Sequence, residues 1–212
     1  MTITVVVILT IIANVIISYK GFNDRNFFAK YMFNIGKIQQ GERYRMVSSA
    51  FLHADVVHLL FNMFALYIFS PIVTGYFGDI TFLIIYFVAL LCGNLFTLNQ
   101  HSNEPNYSAI GASGAVTGIV YGSIVIFPHM SLYLFFIPIP IPAYIFAIGY
   151  MLYSLYGMKK QTGNVGHTAH IGGAVGGLIA TGLFDFNLII ANYLIILLMI
   201  VPIVLYLYQA KK

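Results

Sequence analysis

The sequence has few charged residues and a single cysteine. Of its 212 residues only 8% are charged and 60% are apolar, with a mean hydropathy of +0.88, whereas roughly a quarter of the residues in an ordinary soluble domain are charged. This composition excludes a water-soluble globular domain. The one cysteine, Cys92, has no partner in the chain and so forms no intrachain disulfide.

Long apolar segments occupy most of the chain. A helix of about 17–25 mostly apolar residues spans a bilayer, and the apolar lengths and polar breaks predict seven such spans. They cover roughly residues 2–18, 56–74, 80–98, 112–128, 139–157, 168–184 and 188–208. We therefore predict an all-α fold, a polytopic membrane helix bundle that forms one domain over residues 1–212.

Three further features refine this prediction. No basic residue precedes segment 2–18 and no small-residue cleavage site follows it, so we expect a retained first helix rather than a removed signal peptide. The connection Tyr19 to Asp55 contains six of the ten Lys and Arg residues together with several aromatics, which favours a structure at the membrane interface. The proline-rich stretch Ile137 to Pro142 predicts a break before the fifth span.

Polar residues inside membrane spans are costly and mark candidate functional sites. The first cluster begins the second span, where His58 and Asn62 are four residues apart and share a helical face, while His53 precedes them. We expect His53 to hold its connection in place through hydrogen bonds. His58 and Asn62 would present an imidazole and a carboxamide to the bundle interior.

The second cluster begins the fourth span with the sequence Gly111-Ala-Ser113-Gly114. A serine at a helix N-terminus lies beside unpaired backbone N–H groups that favour a developing negative charge. Glycines next to it let another backbone approach closely. The spacing of Gly114, Gly118 and Gly122 predicts a stripe for helix packing.

The third cluster lies in the sixth span, where His170, Gly173 and Gly177 share one helical face. These glycines would let His170 approach the helix of Ser113, and a serine needs a neighbouring base to become a good nucleophile. By the alternation of spans, all three clusters lie near the same membrane face. Because none of the six acids lies in either of these helices, we predict a Ser113–His170 dyad rather than a triad.

Several other functions remain as alternatives. Ser113 could simply hydrogen-bond its own helix. His167 and His170 could share a metal ion with His58, but the chain has no His-Glu-x-x-His motif and its only glutamates lie in connections, so we expect no metal and no cofactor. A transporter is disfavoured because neither a charged midplane path nor a pair of matching broken helices is evident. We expect no nucleic-acid partner.

Taken together, the clusters resemble the signature of the rhomboid family. The matching residues are, in order, His53, His58, Asn62, Gly111, Ser113, Gly114, Ala169, His170, Gly173 and Gly177. The pair Tyr44-Arg45 is similar to the family's Trp-Arg motif, with tyrosine in place of tryptophan. Some relatives place an aromatic residue one turn after the serine to stack on the histidine, whereas this chain has Thr117 there.

The resemblance implies a six-span core over about 1–185 and an extra C-terminal span at about 188–208. It implies an intramembrane serine endopeptidase that cleaves transmembrane segments of membrane-anchored proteins, with Ser113 as nucleophile and His170 as base. The oxyanion would be held by the Ser113 N–H, Asn62 and His58. The alternative is an inactive rhomboid-like factor that binds membrane proteins and guides their trafficking, although such relatives lack the serine or the histidine and this chain keeps both.

Location and orientation follow from the same resemblance. We expect a multi-pass protein of the cell membrane, embedded in lipid and acting on transmembrane substrates. In a seven-span chain all Lys and Arg residues fall on the side that carries the three clusters, which the positive-inside rule makes cytoplasmic. The family pattern instead implies that the site opens to the outer face, which is the orientation we expect.

Overall fold

The computed structural model of the protein describes residues 2–133, 139–160 and 166–210. Within these ranges the chain is mostly α-helical, with two short β-pairs and one 3-10 turn, Ser49–Phe51. The helices are α1 Val5–Asn23, α2 Arg25–Tyr31, α3 Ile35–Gln39, α4 Arg45–Ser48, α5 Val56–Phe77, α6 Asp79–Gln100, α7 Ser113–Ile126, α8 Ala143–Lys160, α9 His167–Phe184, α10 Phe186–Ala191 and α11 Tyr193–Ala210. The strands are β1 Phe33–Asn34, paired antiparallel with β2 Ser108–Ala109, and β3 Ser131–Leu132, paired antiparallel with β4 Ile141–Pro142.

These helices confirm the predicted membrane bundle. In the described ranges α1, α5 and α6 are long and apolar enough to cross a bilayer, and α7 and most of α11 are shorter apolar helices. The protein is a multi-pass integral membrane protein. Six predicted spans correspond to α1, α5, α6, α7, α8 and α9, and the C-terminal span corresponds to α11.

Several predicted boundaries differ from the structure by a few residues. Helix α1 continues to Asn23, because the polar residues after Ser18 extend the same helix. The last span begins at Tyr193 rather than 188, because the chain bends at Asn192, whose amide donates to the Val125 and Leu188 carbonyls. Of the proline-rich stretch, Ile137 and Pro138 lie outside the described residues, while α8 begins directly after Pro142.

Helix α7 is the central helix of the bundle. Every residue from Gly114 to Ile126 is buried, and the helix has 14 residues, or about 21 Å at 1.5 Å per residue. That length is short for a bilayer core of about 30 Å. Because protein rather than lipid surrounds α7, its length does not have to match the hydrocarbon thickness.

Glycines bring α7 and α9 into backbone contact. A Cβ at Gly173 would overlap the carbonyl oxygen of Gly114, and one at Gly177 would overlap the backbone of Gly118. On the other side of α9, a Cβ at Gly172 would lie 2.7 Å from the Cys92 carbonyl oxygen in α6. The predicted stripes of small residues thus form the contact between the helices that carry Ser113 and His170.

Local chemistry fixes the start of α5 and the connection before it. The Asp55 carboxylate caps α5 by accepting a hydrogen bond from the His58 N–H at 2.8 Å. Upstream, the buried Arg45 guanidinium donates to the Ala29 and Met32 carbonyls and pairs with Glu42 at 2.7 Å. That hydrogen bond lowers the pKa of the Glu42 carboxyl from its ordinary value. Together these contacts order the chain that leads into the first polar cluster.

Candidate active site

Ser113 is the first residue of α7 and is partly exposed. Two residues earlier, Gly111 has a φ of +114°, a conformation that glycine adopts without a Cβ penalty. This turn lets the chain enter α7 with the Ser113 N–H in the first turn, where it has no partner within the helix. The position is accessible, and it provides a hydroxyl next to an N–H donor.

His170 lies in the first turn of α9 and is 6% exposed. Its helix meets that of Ser113 directly, since a Cβ at Gly114 would lie 3.2 Å from the Ala169 carbonyl oxygen. The residues adjacent to the predicted nucleophile and base are therefore in contact. Among the hydrogen bonds of the described residues, however, none joins Ser113 to His170. Such catalytic bonds are often long in enzymes without substrate and shorten when substrate binds.

The His170 imidazole is held by a residue that the sequence did not reveal. Tyr150 of α8 places its Oη 2.9 Å from His170 Nδ1. The two rings also stack, with centroids 5.7 Å apart and an interplanar angle of 28°. Because Nδ1 is occupied, Nε2 is the ring nitrogen left for a serine hydroxyl. The only signal in the sequence was Thr117, where an aromatic residue could have been expected.

The predicted oxyanion donors lie on α5 beside the start of α7. The Ala54 N–H points to His58 Nδ1 at 3.4 Å, so a neutral His58 carries its proton on Nε2. A Cβ at Gly111 would lie 2.8 Å from that Nε2 and 3.9 Å from the Ser113 N. The space beside Gly111 is thus bordered by two N–H donors.

Asn62 contributes less directly to this site. Its buried amide donates to the His58 carbonyl at 3.0 Å, which is a bond within α5. The amide has a second hydrogen, since an asparagine Nδ2 is a double donor. The structure therefore groups His58 with Gly111 and Ser113, and it places Asn62 one turn further along the same helix.

His53 has the structural role expected of it. In this fully buried residue, Nδ1 lies 2.8 Å from the Ser18 hydroxyl, and Nε2 accepts from the Ala112 N–H at 3.4 Å. Burial, with a smaller effect of His58, lowers the pKa of the His53 imidazole to about 3. His53 is therefore neutral and joins α1 to the residue that precedes Ser113.

His167 belongs to the packing between α8 and α9. A Cβ at Gly157 would overlap its ring, and Tyr153 contacts it edge-on at 5.2 Å between centroids. Within the described ranges, no three His, Cys, Asp or Glu side chains lie close enough together to hold a metal ion. Within the same ranges, His170 is hydrogen-bonded to Tyr150 and interacts electrostatically with His167 and His58. No carboxylate in those ranges is among its interacting titratable groups.

Comparison with known proteins places this helical bundle in a family. The family model described as the Rhomboid domain matches residues 40–187, which is more than half of the chain and includes every residue of the three clusters. The chain belongs to the rhomboid family. The predicted resemblance is therefore confirmed, and with it the rhomboid type of membrane bundle.

The rhomboid relatives come from plants, fungi, animals and bacteria. RHOMBOID-like protein 12, mitochondrial, of Arabidopsis thaliana is 30% identical over 79% of this chain and 54% of its own length. Rhomboid protein 1, mitochondrial, of Saccharomyces cerevisiae is 28% identical over 72% of this chain and 45% of its own length. The putative rhomboid protease YdcA of Bacillus subtilis is 36% identical over 45% of this chain and 47% of its own length. The chain spans about half the length of these curated relatives.

Proposed function

We propose that this rhomboid protein is a serine endopeptidase that cleaves transmembrane segments of membrane-anchored proteins, with Ser113 as nucleophile and His170 as base. The observation that carries this proposal is the contact between α7 and α9, where Gly114 packs on Ala169 and Gly173. This contact brings together the helix turns of a partly exposed serine and a histidine whose Nδ1 is already engaged. Two of the bacterial relatives are named as rhomboid proteases, one of them putative.

The reaction follows from the groups at this site. His170 Nε2 takes the proton of the Ser113 hydroxyl while Oγ bonds to the substrate carbonyl carbon. The resulting oxyanion is held by the Ser113 N–H and by His58 Nε2–H, with the second Asn62 hydrogen as a further donor. His170 then gives the proton to the leaving amine, and water hydrolyses the acyl-enzyme by the reverse sequence of proton transfers.

The substrate follows from the location of the site. All backbone polar groups of a membrane-spanning helix are paired, so a peptide bond is exposed only where the helix unwinds. We expect substrates with helix-destabilising residues near the cut and, by family analogy, a small residue just before it. We propose the cell membrane as the location of this multi-pass protein; the Arabidopsis and yeast relatives are named as mitochondrial.

One observation favours a second candidate function, a rhomboid protein that binds transmembrane proteins without cutting them. The serine and the histidine are not hydrogen-bonded to each other in the described part of the chain, where the imidazole bonds to Tyr150 instead. Binding without cleavage would still use the same accessible face of the bundle.

Cleavage of transmembrane reporters by the purified full chain distinguishes the two functions. Ser113→Ala and His170→Ala should each reduce the rate roughly 10⁴-fold or more, because the two groups act as a unit. Ser123→Ala, in the same helix but far from its N-terminus, and His129→Ala should retain cleavage. Cleavage by Ser113→Ala at the normal rate would refute the catalytic assignment, and binding without cleavage by the wild type would establish the second function.

A further inference from the structure

Tyr150 of α8 both stacks on the His170 imidazole and is hydrogen-bonded to it. The residue one turn after Ser113 is Thr117, which is buried and has no ring that could stack on the histidine. The ring that stacks on His170 comes instead from α8, through Tyr150. Helices α8 and α9 therefore meet at the imidazole through this pair.

We propose that Tyr150 is a positioning residue that holds His170 in the tautomer and ring orientation required of a general base. The inference rests on the proposed function and extends it to a residue outside the Ser-His pair. Tyr150 acts through His170 and needs no contact with substrate. Its role would be to keep a lone pair on Nε2, on the side where serine chemistry takes place.

The direction of the hydrogen bond decides the tautomer. If His170 Nδ1–H donates to Tyr150 Oη, Nε2 is unprotonated and can accept the serine proton. If the tyrosine O–H donates to Nδ1, the proton lies on Nε2 and the ring cannot act as a base. The proposal requires the first arrangement, in which Tyr150 Oη accepts from His170 Nδ1–H across the 2.9 Å contact.

The stacked ring fixes the orientation as well. His170 is buried, and the Tyr150 ring covers one of its faces at 5.7 Å between centroids. The edge of His167 approaches at 6.2 Å. Rotation of the imidazole would break the 2.9 Å bond and displace these rings. A phenylalanine at position 150 would keep the stacking and remove only the hydrogen bond, so it separates the two contributions.

The test compares Tyr150→Phe with Tyr153→Phe in reporter cleavage by the full chain. Tyr153 lies one turn along α8 and contacts His167 rather than His170, so it controls for the loss of a tyrosine hydroxyl from this helix. Tyr150→Phe should lower kcat about tenfold, as expected when a histidine loses the partner that orients it, with KM and the thermal midpoint unchanged. Tyr153→Phe should leave all three unchanged.

A second measurement does not depend on activity. Imidazole ¹⁵N shifts, with His170 assigned from the spectrum of His170→Gln, should show Nδ1–H in the wild type and a mixture of tautomers in Tyr150→Phe. An unchanged kcat in Tyr150→Phe, or a wild-type His170 protonated on Nε2, would overturn the proposal. A loss of kcat that came with a lower thermal midpoint and an unchanged tautomer would also overturn it. If the wild type cleaves nothing, the proposed function fails, while the ¹⁵N shifts still decide the tautomer.

Discussion

Helix α7 is held in two different ways, along its length and at its N-terminal end. Along its length, glycines of α7 and α9 meet backbone to backbone, as Gly118 does with Gly177. At its N-terminal end, histidine rings make the contacts. His53 accepts from the Ala112 N–H, and the His58 ring lies against Gly111.

The difference lies in what each kind of contact can tolerate. A glycine contact has no side chain that can move, so an added methyl group must separate the helices. A histidine contact can rotate, and it depends on which ring nitrogen carries a proton. The distance between α7 and α9 is therefore insensitive to pH. The conformation of the chain at the N-terminal end of α7, which histidine rings contact, is sensitive to pH.

The strongest way to break the glycine contact is Gly177→Val. A Cβ at this position overlaps the backbone of Gly118, so α7 and α9 must move apart, at a cost of about 3 kcal/mol and with loss of cleavage. The control is Gly149→Val in α8, where a Cβ has no neighbour within 4 Å. Thermal midpoints in detergent should fall for the first variant alone, and equal midpoints would show that the glycine contact is not tight.

The contact at the N-terminal end is best broken by Gly111→Ala, compared with Gly41→Ala. Both glycines have positive φ, +114° and +106°, so each alanine stores backbone strain of about 1–2 kcal/mol. Only Gly111 has His58 as a neighbour, and a Cβ at Gly41 meets nothing within 4 Å.

The two alanine variants therefore share the backbone strain, but only Gly111→Ala also displaces the His58 ring, so they should differ in activity. Gly111→Ala displaces the His58 N–H donor and should lower the cleavage rate on the order of 10²-fold. Gly41→Ala should cleave at close to the wild-type rate. Equal rates in the two variants would mean that His58 does not contribute to the oxyanion site.

Apolar length and glycine spacing predicted much of this arrangement. Most spans predicted from apolar length correspond to real helices because the bilayer imposes a minimum length on a lipid-exposed helix, a requirement that the buried α7 does not have. The stripe of Gly114, Gly118 and Gly122 predicted close packing because the helical period places these residues on one face. Both signals are local, so one sequence is enough to detect them.

Contacts between side chains distant in the sequence could not be predicted in this way. The hydrogen bond between Tyr150 and His170 joins two helices, and no periodicity reports which of the sixteen tyrosines reaches the imidazole. The bend at Asn192 depends on a carbonyl of α7, that of Val125. Each depends on tertiary geometry that apolar length does not encode.

The smallest expected effect concerns protonation of His53. Its pKa in the folded protein is about 3, against an ordinary value of 6.5. Between these values the unfolded chain binds more protons than the folded protein, so stability is fully present above pH 6.5 and falls as the pH decreases towards 3. Lowering the pH from 7.5 to 5.5 should cost about 1.4 kcal/mol through this residue.

His53→Gln separates this contribution from those of the other histidines. A glutamine amide can donate to Ser18 and accept from the Ala112 N–H, but it does not titrate. The thermal midpoint of the wild type should therefore fall more steeply below pH 6.5 than that of His53→Gln. Parallel pH curves for the two proteins would mean that His53 can be protonated in place. The histidine contacts at the N-terminal end of α7 would then be as insensitive to pH as its glycine contacts.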